Sequence, residues 1–459
     1  MVNNLHWFIK NLYSFDDQPA LIFDHKSYSY RQMLDQISIF NAEIDKTIPQ
    51  NSVVSIMSDY SFYSICIFLS LLNRGCIIVP ITSKVIDEQD LRIKESNSEY
   101  SIIFDDNNSL IILGCHLDKK TSHQLIANLK NENSAGLILF SSGSTGKPKA
   151  MLQNLENLCL AHKNKRPKSL VMMIFLMFDH IGGINTLLGS LMMGGTMVIP
   201  STRDPLHVAF LIEKYRVKVL PASPTFLNLL LISNSHNEFD LSSIRMITYG
   251  TESMPESLLL KLRSIFKKVK FLQTFGTSET GIAKMRSKSS ESTFMKFDDP
   301  NLKHKIVNGN LFLKSNTQIS GYLNSSMESF DDEGWFDTGD LAEEADNGYI
   351  KIIGRSKEII NIGGEKVLPI EIETLLLEMD EVDDCMVYGI PNPIMGQSVN
   401  AEIVTNKKLS NRETRKLIYN FCKIRIESYK IPSSVKVVDK TNFSSRFKKI
   451  RINHESQYE

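Results

Sequence analysis

Between residues 217 and 273 the chain alternates two patterns that cannot share one element. Three short β-rich runs, at 217–220, 244–249 and 269–273, are separated by helix-like stretches at 224–231 and 255–266. Each helical stretch carries a proline near its start, where the missing N–H costs nothing because first-turn N–H groups have no partner in the helix. Strands separated by helices pair side by side in parallel, so this rhythm demands a layered α/β arrangement. It extends over roughly the first 350 residues. From Lys357 the order changes to a helix (369–378), strands near 384–389 and 399–404, a helix (411–426) and a strand near 435–438. That is enough for an independent α+β unit. A chain of 459 residues also exceeds what one core usually holds. The expected fold is α/β: a large multi-layered domain over 1–356 and a small α+β domain over 357–459.

Composition narrows the function. The formal net charge is zero, which excludes a chain-wide electrostatic nucleic-acid binder. The charge is nonetheless uneven. From Ile403 to Arg451 fourteen Lys and Arg face only Glu413, Glu427 and Asp439, so this stretch carries +11 and the remainder −11. A solvated helix face and a docking surface for an acidic partner are both consistent with it. The six cysteines show no metal-ligand or redox spacing and are expected to be reduced, mostly buried thiols. The N-terminus lacks the basic start, apolar stretch and cleavage site of a signal peptide. The apolar runs at 61–72 and 170–178 are too short for a membrane span and predict buried elements. The expected location is cytoplasmic.

The apolar run GLILF leads directly into FSSGSTGKPKA, residues 140–150. Glycines free the backbone there, and hydroxyls and lysines supply donors with few acceptors, a composition suited to wrapping phosphate. It is not a Walker loop. Ser141 stands where the first glycine should be, and Pro148 follows Gly146-Lys147. Taken alone, the segment is a phosphate loop of another kind, with a flexible hairpin as the alternative.

FSSGSTGKPKA resembles the signature loop of the adenylate-forming superfamily, which includes acyl-CoA synthetases, nonribosomal peptide adenylation domains and firefly luciferase. Five further stretches resemble that family's motifs in the same order: FDHIGG (178–183), LQTFGTSETG (272–281), GWFDTGDL (334–341), IIGRSKEIINIGGEKVLPIEIE (352–373) and RFKKIR (446–451). The resemblance implies residue roles. Ser141, Ser142, Gly143, Ser144, Thr145, Gly146, Lys147 and Lys149 would cradle the ATP phosphates. Phe275 would face adenine, Gln273 would reach it with an amide, and Gly276 and Thr277 would complete that wall. Ser278, in place of the usual threonine, would keep a hydroxyl near the phosphates. Glu279 would coordinate Mg²⁺ as a hard carboxylate ligand. Asp340 would accept the ribose hydroxyls, and Arg355 would contact ribose or phosphate, with a solvated surface charge as the alternative for each.

The resemblance makes Lys357 the hinge of a mobile C-terminal domain, with Gly363 and Gly364 beside a pantetheine path. RFKKIR is its least faithful part. Alignment on Arg451 makes Lys448 the catalytic lysine with Phe447 replacing a glycine, whereas alignment on Ile450 selects Lys449. In the substrate pocket, His180 and Gly183 fit the His-Gly stretch of acyl-CoA synthetases. Asp179, after Phe178, fits the ammonium-binding position of amino-acid-activating relatives. Tyr249, Gly250, Thr251 and Gly281 match further pocket positions. Only 60 residues lie between Glu279 and Asp340, which implies a trimmed β-rich subdomain.

The activity implied is ATP-dependent conversion of a carboxylic acid to an acyl-adenylate, then transfer to CoA or to the phosphopantetheine of a carrier protein. Amino-acid loading of a carrier protein, and nucleotide or carrier binding without turnover, are the alternatives. No nucleic-acid partner is expected.

Overall fold

The computed structural model describes residues 5–115, 123–141, 147–444 and 446–451. They form four larger sheets. The first runs in the order Lys270–Gln273, Met246–Tyr249, Val219–Ala222, Val171–Met173, Thr196–Val198, Pro19–Phe23 and Lys26–Ser29. All its pairs are parallel except the final hairpin. The second runs Gly321–Tyr322, Lys149–Asn154, Gly136–Ser141, Ile77–Pro80, Val53–Ile56, Tyr100–Phe104 and Leu110–Gly114.

One hydrophobic core spans both sheets and the helices Tyr30–Ile44, Phe62–Asn73 and Ile181–Met192 packed with them. This explains the apolar run at 61–72. Helix Phe62–Asn73 starts at a Ser61–Ser64 capping box and is buried on nearly every side, so it needs no polar face. A second core joins the first sheet to helices Pro205–Tyr215, Pro224–Ile232 and Glu256–Ile265. The strands and helices expected between 217 and 273 are all present, within two residues of their predicted bounds.

The third sheet is antiparallel, with strands Met285–Ser287, Met295–Phe297, Tyr349–Arg355, Phe336–Ala345, Asn310–Ser315 and Leu302–Val307. It is the β-rich unit between Glu279 and Asp340. The fourth sheet has its own core within residues 360–435, together with helices Pro369–Leu376 and Asn411–Cys422. The latter helix ends four residues before the expected bound. Its last turn closes on the Cys422 carbonyl, which accepts from both Arg425 and Ile426. Lys357 lies in a short turn, Ser356–Glu358, between strand Tyr349–Arg355 of the third sheet and strand Ile360–Ile362 of the fourth. All six cysteines are free and five are buried. No helix among the described residues is long and apolar enough to cross a membrane.

Candidate active site

A cavity of ≈ 870 Å³ opens where the parallel strands of the first sheet end. In parallel α/β sheets this edge is where ligands bind, because the strand-to-helix loops gather there. Gln273, Gly250 and Thr251 stand at the ends of their strands and line the cavity. Gly250 has no alternative: a Cβ there would lie 2.6 Å from the Thr274 carbonyl. Thr251 adopts φ 73°, a genuine strain for a β-branched residue, and its buried hydroxyl has no partner. The buried Gln273 Oε1 is also unpartnered. Unpaired buried polar atoms cost stability, so two of them on one wall point to a ligand that satisfies them.

Phe275 lines the same wall and meets Phe297 edge-on, with ring centroids 6.0 Å apart. The next residues form a small hairpin, Gly276–Thr277 against Gly281–Ile282, with Ser278 and Glu279 at its turn. A Cβ on Gly276 would sit 2.3 Å from the Gly281 carbonyl, and Gly281 itself has φ 78°. Glu279 accepts a hydrogen bond from the Tyr322 hydroxyl at 3.1 Å, and Lys149 lies over the Tyr322 ring. Opposite, Ser141 and Lys149 face each other across an antiparallel ladder. The expected phosphate loop therefore springs from a β-hairpin and not from a strand-to-helix turn. Ser142, Gly143, Ser144, Thr145 and Gly146 lie outside the described residues, and Lys147 is exposed.

The third sheet supplies Asp340 and Arg355, which are direct register partners on adjacent strands. Arg355 Nε donates to Asp340 Oδ1 at 2.9 Å. Burial raises the Asp340 carboxyl, with Arg355 pulling the other way. Lys448 faces this pair. Its ammonium is pushed down to about 8 by burial and by Arg355, against the pull of Glu252. Lys449 points elsewhere, as alternation along an extended segment requires. Its Nζ pairs with Asp384 at 3.1 Å and donates to the Cys385 carbonyl, inside the fourth sheet's domain. Arg451 likewise grips Glu373 through two 2.9 Å contacts.

His180 caps the N-terminus of helix Ile181–Met192, accepting from the Gly182 N–H at 3.0 Å, and lines the cavity. Burial and then the charge of Lys448 push its pKa down to about 3, so the ring is neutral. Gly183 packs the helix start against the preceding turn, where a Cβ would lie 2.1 Å from the Met177 carbonyl.

Several expected residues are placed differently. Asp179 does not line the cavity, and its carboxylate is held by Arg92 at 3.0 Å and by Arg446 at 3.1 Å. Tyr249 is a core residue beneath the cavity floor. Gly183 and Gly281 shape the backbone behind the lining. Gly363 and Gly364, with φ 59° and 97°, make the two-residue turn between strands Ile360–Ile362 and Glu365–Val367, and neither lines the cavity. Positive φ at both turn positions is what such a hairpin asks of glycine.

The sequence did not disclose Tyr322, Glu252, Arg446 or the Arg92–Asp179 pair. Glu252 takes the Thr225 N–H at 2.7 Å and the Lys449 N–H at 3.2 Å, tying the 446–451 segment to the start of helix Pro224–Ile232. Phe447 has φ 53° and packs its ring near Phe175, Phe226 and Phe443, at 5.4, 5.5 and 5.6 Å. The position thus keeps the backbone conformation that glycine favours, with an aromatic anchor added. No group of three or more His, Cys, Asp or Glu among the described residues could hold a metal unaided.

Fold and site together define an adenylate-forming architecture: a large α/β body, a small α+β domain and a cavity lined by residues of both. The family model for AMP-binding enzymes matches residues 8–310, and the model for the AMP-binding enzyme C-terminal domain matches residues 371–447. The chain belongs to the AMP-binding enzyme family. It is 24% identical over 490 residues to the 2-succinylbenzoate–CoA ligase of Bacillus pumilus (strain SAFR-032), covering 98% of each chain. Its fold is shared by the anthranilate CoA ligase solved with anthranoyl-AMP, at TM-score 0.81 and 18% identity, covering 97% of this chain and 96% of that one. The o-succinylbenzoate CoA synthetase of Bacillus subtilis, solved with its acyl-adenylate, matches at TM-score 0.78 and 21% identity over 98% of both chains.

Proposed function

We propose that this protein is an AMP-forming acid–thiol ligase that activates a carboxylic acid with ATP and passes the acyl group to CoA. The observation that carries this reading is the convergence of Lys448 with Asp340 and Arg355 on a cavity whose Gln273 and Thr251 hold unpartnered polar atoms. One substrate carboxylate oxygen attacks the α-phosphorus, the bond to the bridging oxygen breaks, and pyrophosphate leaves with that electron pair. A thiol sulfur then attacks the acyl carbon of the adenylate. AMP departs as the anion, and the thiol proton goes to solvent.

The residues divide this work. Lys448 neutralises charge that builds between carboxylate and α-phosphate, the kind of interaction that lowers a barrier most. The second oxygen of Asp340 and the guanidinium of Arg355 suit a ribose diol. Gln273 and Phe275 suit adenine. Glu279 would hold Mg²⁺ together with phosphate oxygens, since no cluster of His, Cys, Asp or Glu among the described residues could hold the ion unaided. The ion would neutralise phosphate charge, while Tyr322 holds the Glu279 carboxylate in place. A neutral His180 at the helix start leaves its N-terminal dipole free to favour the substrate carboxylate.

Amino-acid activation is disfavoured by the engagement of Asp179 with two arginines. A phosphopantetheine acceptor, the turn at Lys357 as a hinge, and approach of the acceptor past Gly363 and Gly364 belong to the same proposal. The test is acid-dependent pyrophosphate exchange with plain carboxylic acids and amino acids, followed by AMP release with CoA. Exchange with plain acids is expected. Exchange with amino acids alone would move the assignment to amino-acid adenylation, and no AMP with any acid would make the protein a binder.

A further inference from the structure

The cavity continues from His180 along one face of helix Ile181–Met192 as far as Met193. Near its far end Lys165 enters from the loop before strand Val171–Met173. Its Nζ occupies a notch in the helix that only glycine leaves open, since a Cβ on Gly189 would lie 2.5 Å from it. The His162 ring closes the same notch, with Cε1 3.5 Å from that Cβ position. Lys165 keeps much of its surface open onto the cavity. No ion-pair partner stands against it among the described residues. Beside it, the buried His162 ring is hydrogen-bonded to Asn185 and leaves its Nδ1 without a partner.

A cation with no ion-pair partner among the described residues, at the far end of a pocket, suits an anionic group. The walls leading to it include Leu170, Met172 and Met193. We infer that the substrate is a carboxylic acid bearing a second, distal carboxylate, which Lys165 binds while the first carboxylate reacts near His180. The inference rests on the acid-activating reading above. Nine helical residues separate His180 from Gly189, a rise of ~13 Å. The two acidic ends therefore stand on the order of 10 Å apart. Electrostatics agree with the geometry. Burial, followed by the Lys165 charge, pushes His162 down to about 3, so the ring is neutral and Lys165 is the charge at this end of the cavity. A plain alkyl end at this place would leave that cation without a counter-charge, which a distal carboxylate supplies through a charge-assisted hydrogen bond.

The experiment compares matched acids: α,ω-diacids of graded length, their ω-methyl congeners and their ω-amides. The readout is the ratio of kcat/KM for diacid over ω-methyl acid in adenylation, for the parent protein, Lys165→Met and Gly189→Ala. The parent should prefer the diacid by about 10- to 100-fold, the worth of one charge-assisted hydrogen bond. Lys165→Met should bring that ratio close to one, mainly through KM, and Gly189→Ala should lower it by displacing the ammonium. A ratio near one in the parent, or one untouched by Lys165→Met, would overturn the distal-carboxylate site and leave acid activation standing. If no acid turns over, acid activation fails. The site is then read from calorimetric binding of acyl-sulfamoyl adenosines with and without an ω-carboxylate, where equal affinities would overturn it.

Discussion

Two adjacent lysines make the sharpest test of the proposed chemistry. Lys448 faces Asp340 and Arg355, whereas Lys449 is held by Asp384 and the Cys385 carbonyl. Lys448→Ala should slow pyrophosphate exchange by at least ~100-fold, the cost of removing a preorganised charge stabiliser. ATP binding by calorimetry should be nearly unchanged, because the proposed nucleotide wall consists mainly of Gln273, Phe275 and Asp340. Lys449→Ala should act on stability. It strips the cation from Asp384, whose remaining side-chain partner is Thr441. A buried charge left without its partner costs ~3–5 kcal/mol, read as a lowered melting temperature of the C-terminal domain. The pH profile adds an independent sign. With its pKa near 8, Lys448 is about 90% protonated at pH 7 and about 10% at pH 9 in the free enzyme. The active form is therefore present below pH 8 and is lost as pH rises. The kcat/KM of exchange should fall towards ~10-fold per pH unit on the alkaline side. Lys448→Arg, which does not titrate in this range, should flatten that limb whatever its overall rate. The reasoning fails if Lys449→Ala abolishes exchange while Lys448→Ala does not, or if the alkaline limb survives in Lys448→Arg.

Asp340→Ala should raise KM for ATP in steady-state kinetics, since a ribose contact acts before and during reaction; an unchanged value removes Asp340 from the ribose. Reversal of Arg412, Arg415 and Lys416 to Glu should slow thioester formation and spare pyrophosphate exchange, with the defect shrinking at high salt as rim charges are screened. Equal half-reaction rates at both salt levels would make that helix face merely solvated. Asp179→Asn should leave Arg92 and Arg446 without their shared carboxylate and lower the melting temperature, by a cost on the order of 3 kcal/mol; an unchanged melting temperature, with loss of an amino-acid exchange that the parent supports, would restore Asp179 to the substrate pocket.

The α/β rhythm between 217 and 273 was legible because strand and helix periods differ and prolines mark the helix starts. The apolar run at 61–72 was legible as buried for want of length. The six motifs point to Gln273, Phe275, Glu279, Asp340 and Arg355, and all five line the same cavity. What escaped depends on side chains distant in the chain. Nothing local to Asp179 reveals that Arg92 and Arg446 converge on it. The motif favours Lys448 over Lys449, but one residue of slip in the alignment exchanges them, and neighbouring side chains point to different sides. How much of the basic tail is free was illegible for a related reason. Lys407, Lys430, Arg446, Lys449 and Arg451 are spent on Glu381, Glu371, Asp179, Asp384 and Glu373. The surface that remains is less positive than a count of residues implies.

Phe447 sets opposing forces within one residue. Its ring draws the 446–451 segment onto Phe175 and Phe226, and burying such a ring is worth ~1.5–3 kcal/mol. Its left-handed backbone resists by ~1–2 kcal/mol, because a side chain replaces the hydrogen a glycine would have there. The difference, for this residue alone, is of the order of thermal energy. A deeper well would detain the catalytic lysine after the adenylate forms, and a shallower one would expose the adenylate to water before a thiol arrives. On the proposed hinge, this near-balance makes Phe447 a timer: it sets how long the mixed anhydride is sheltered and how soon the acceptor is admitted.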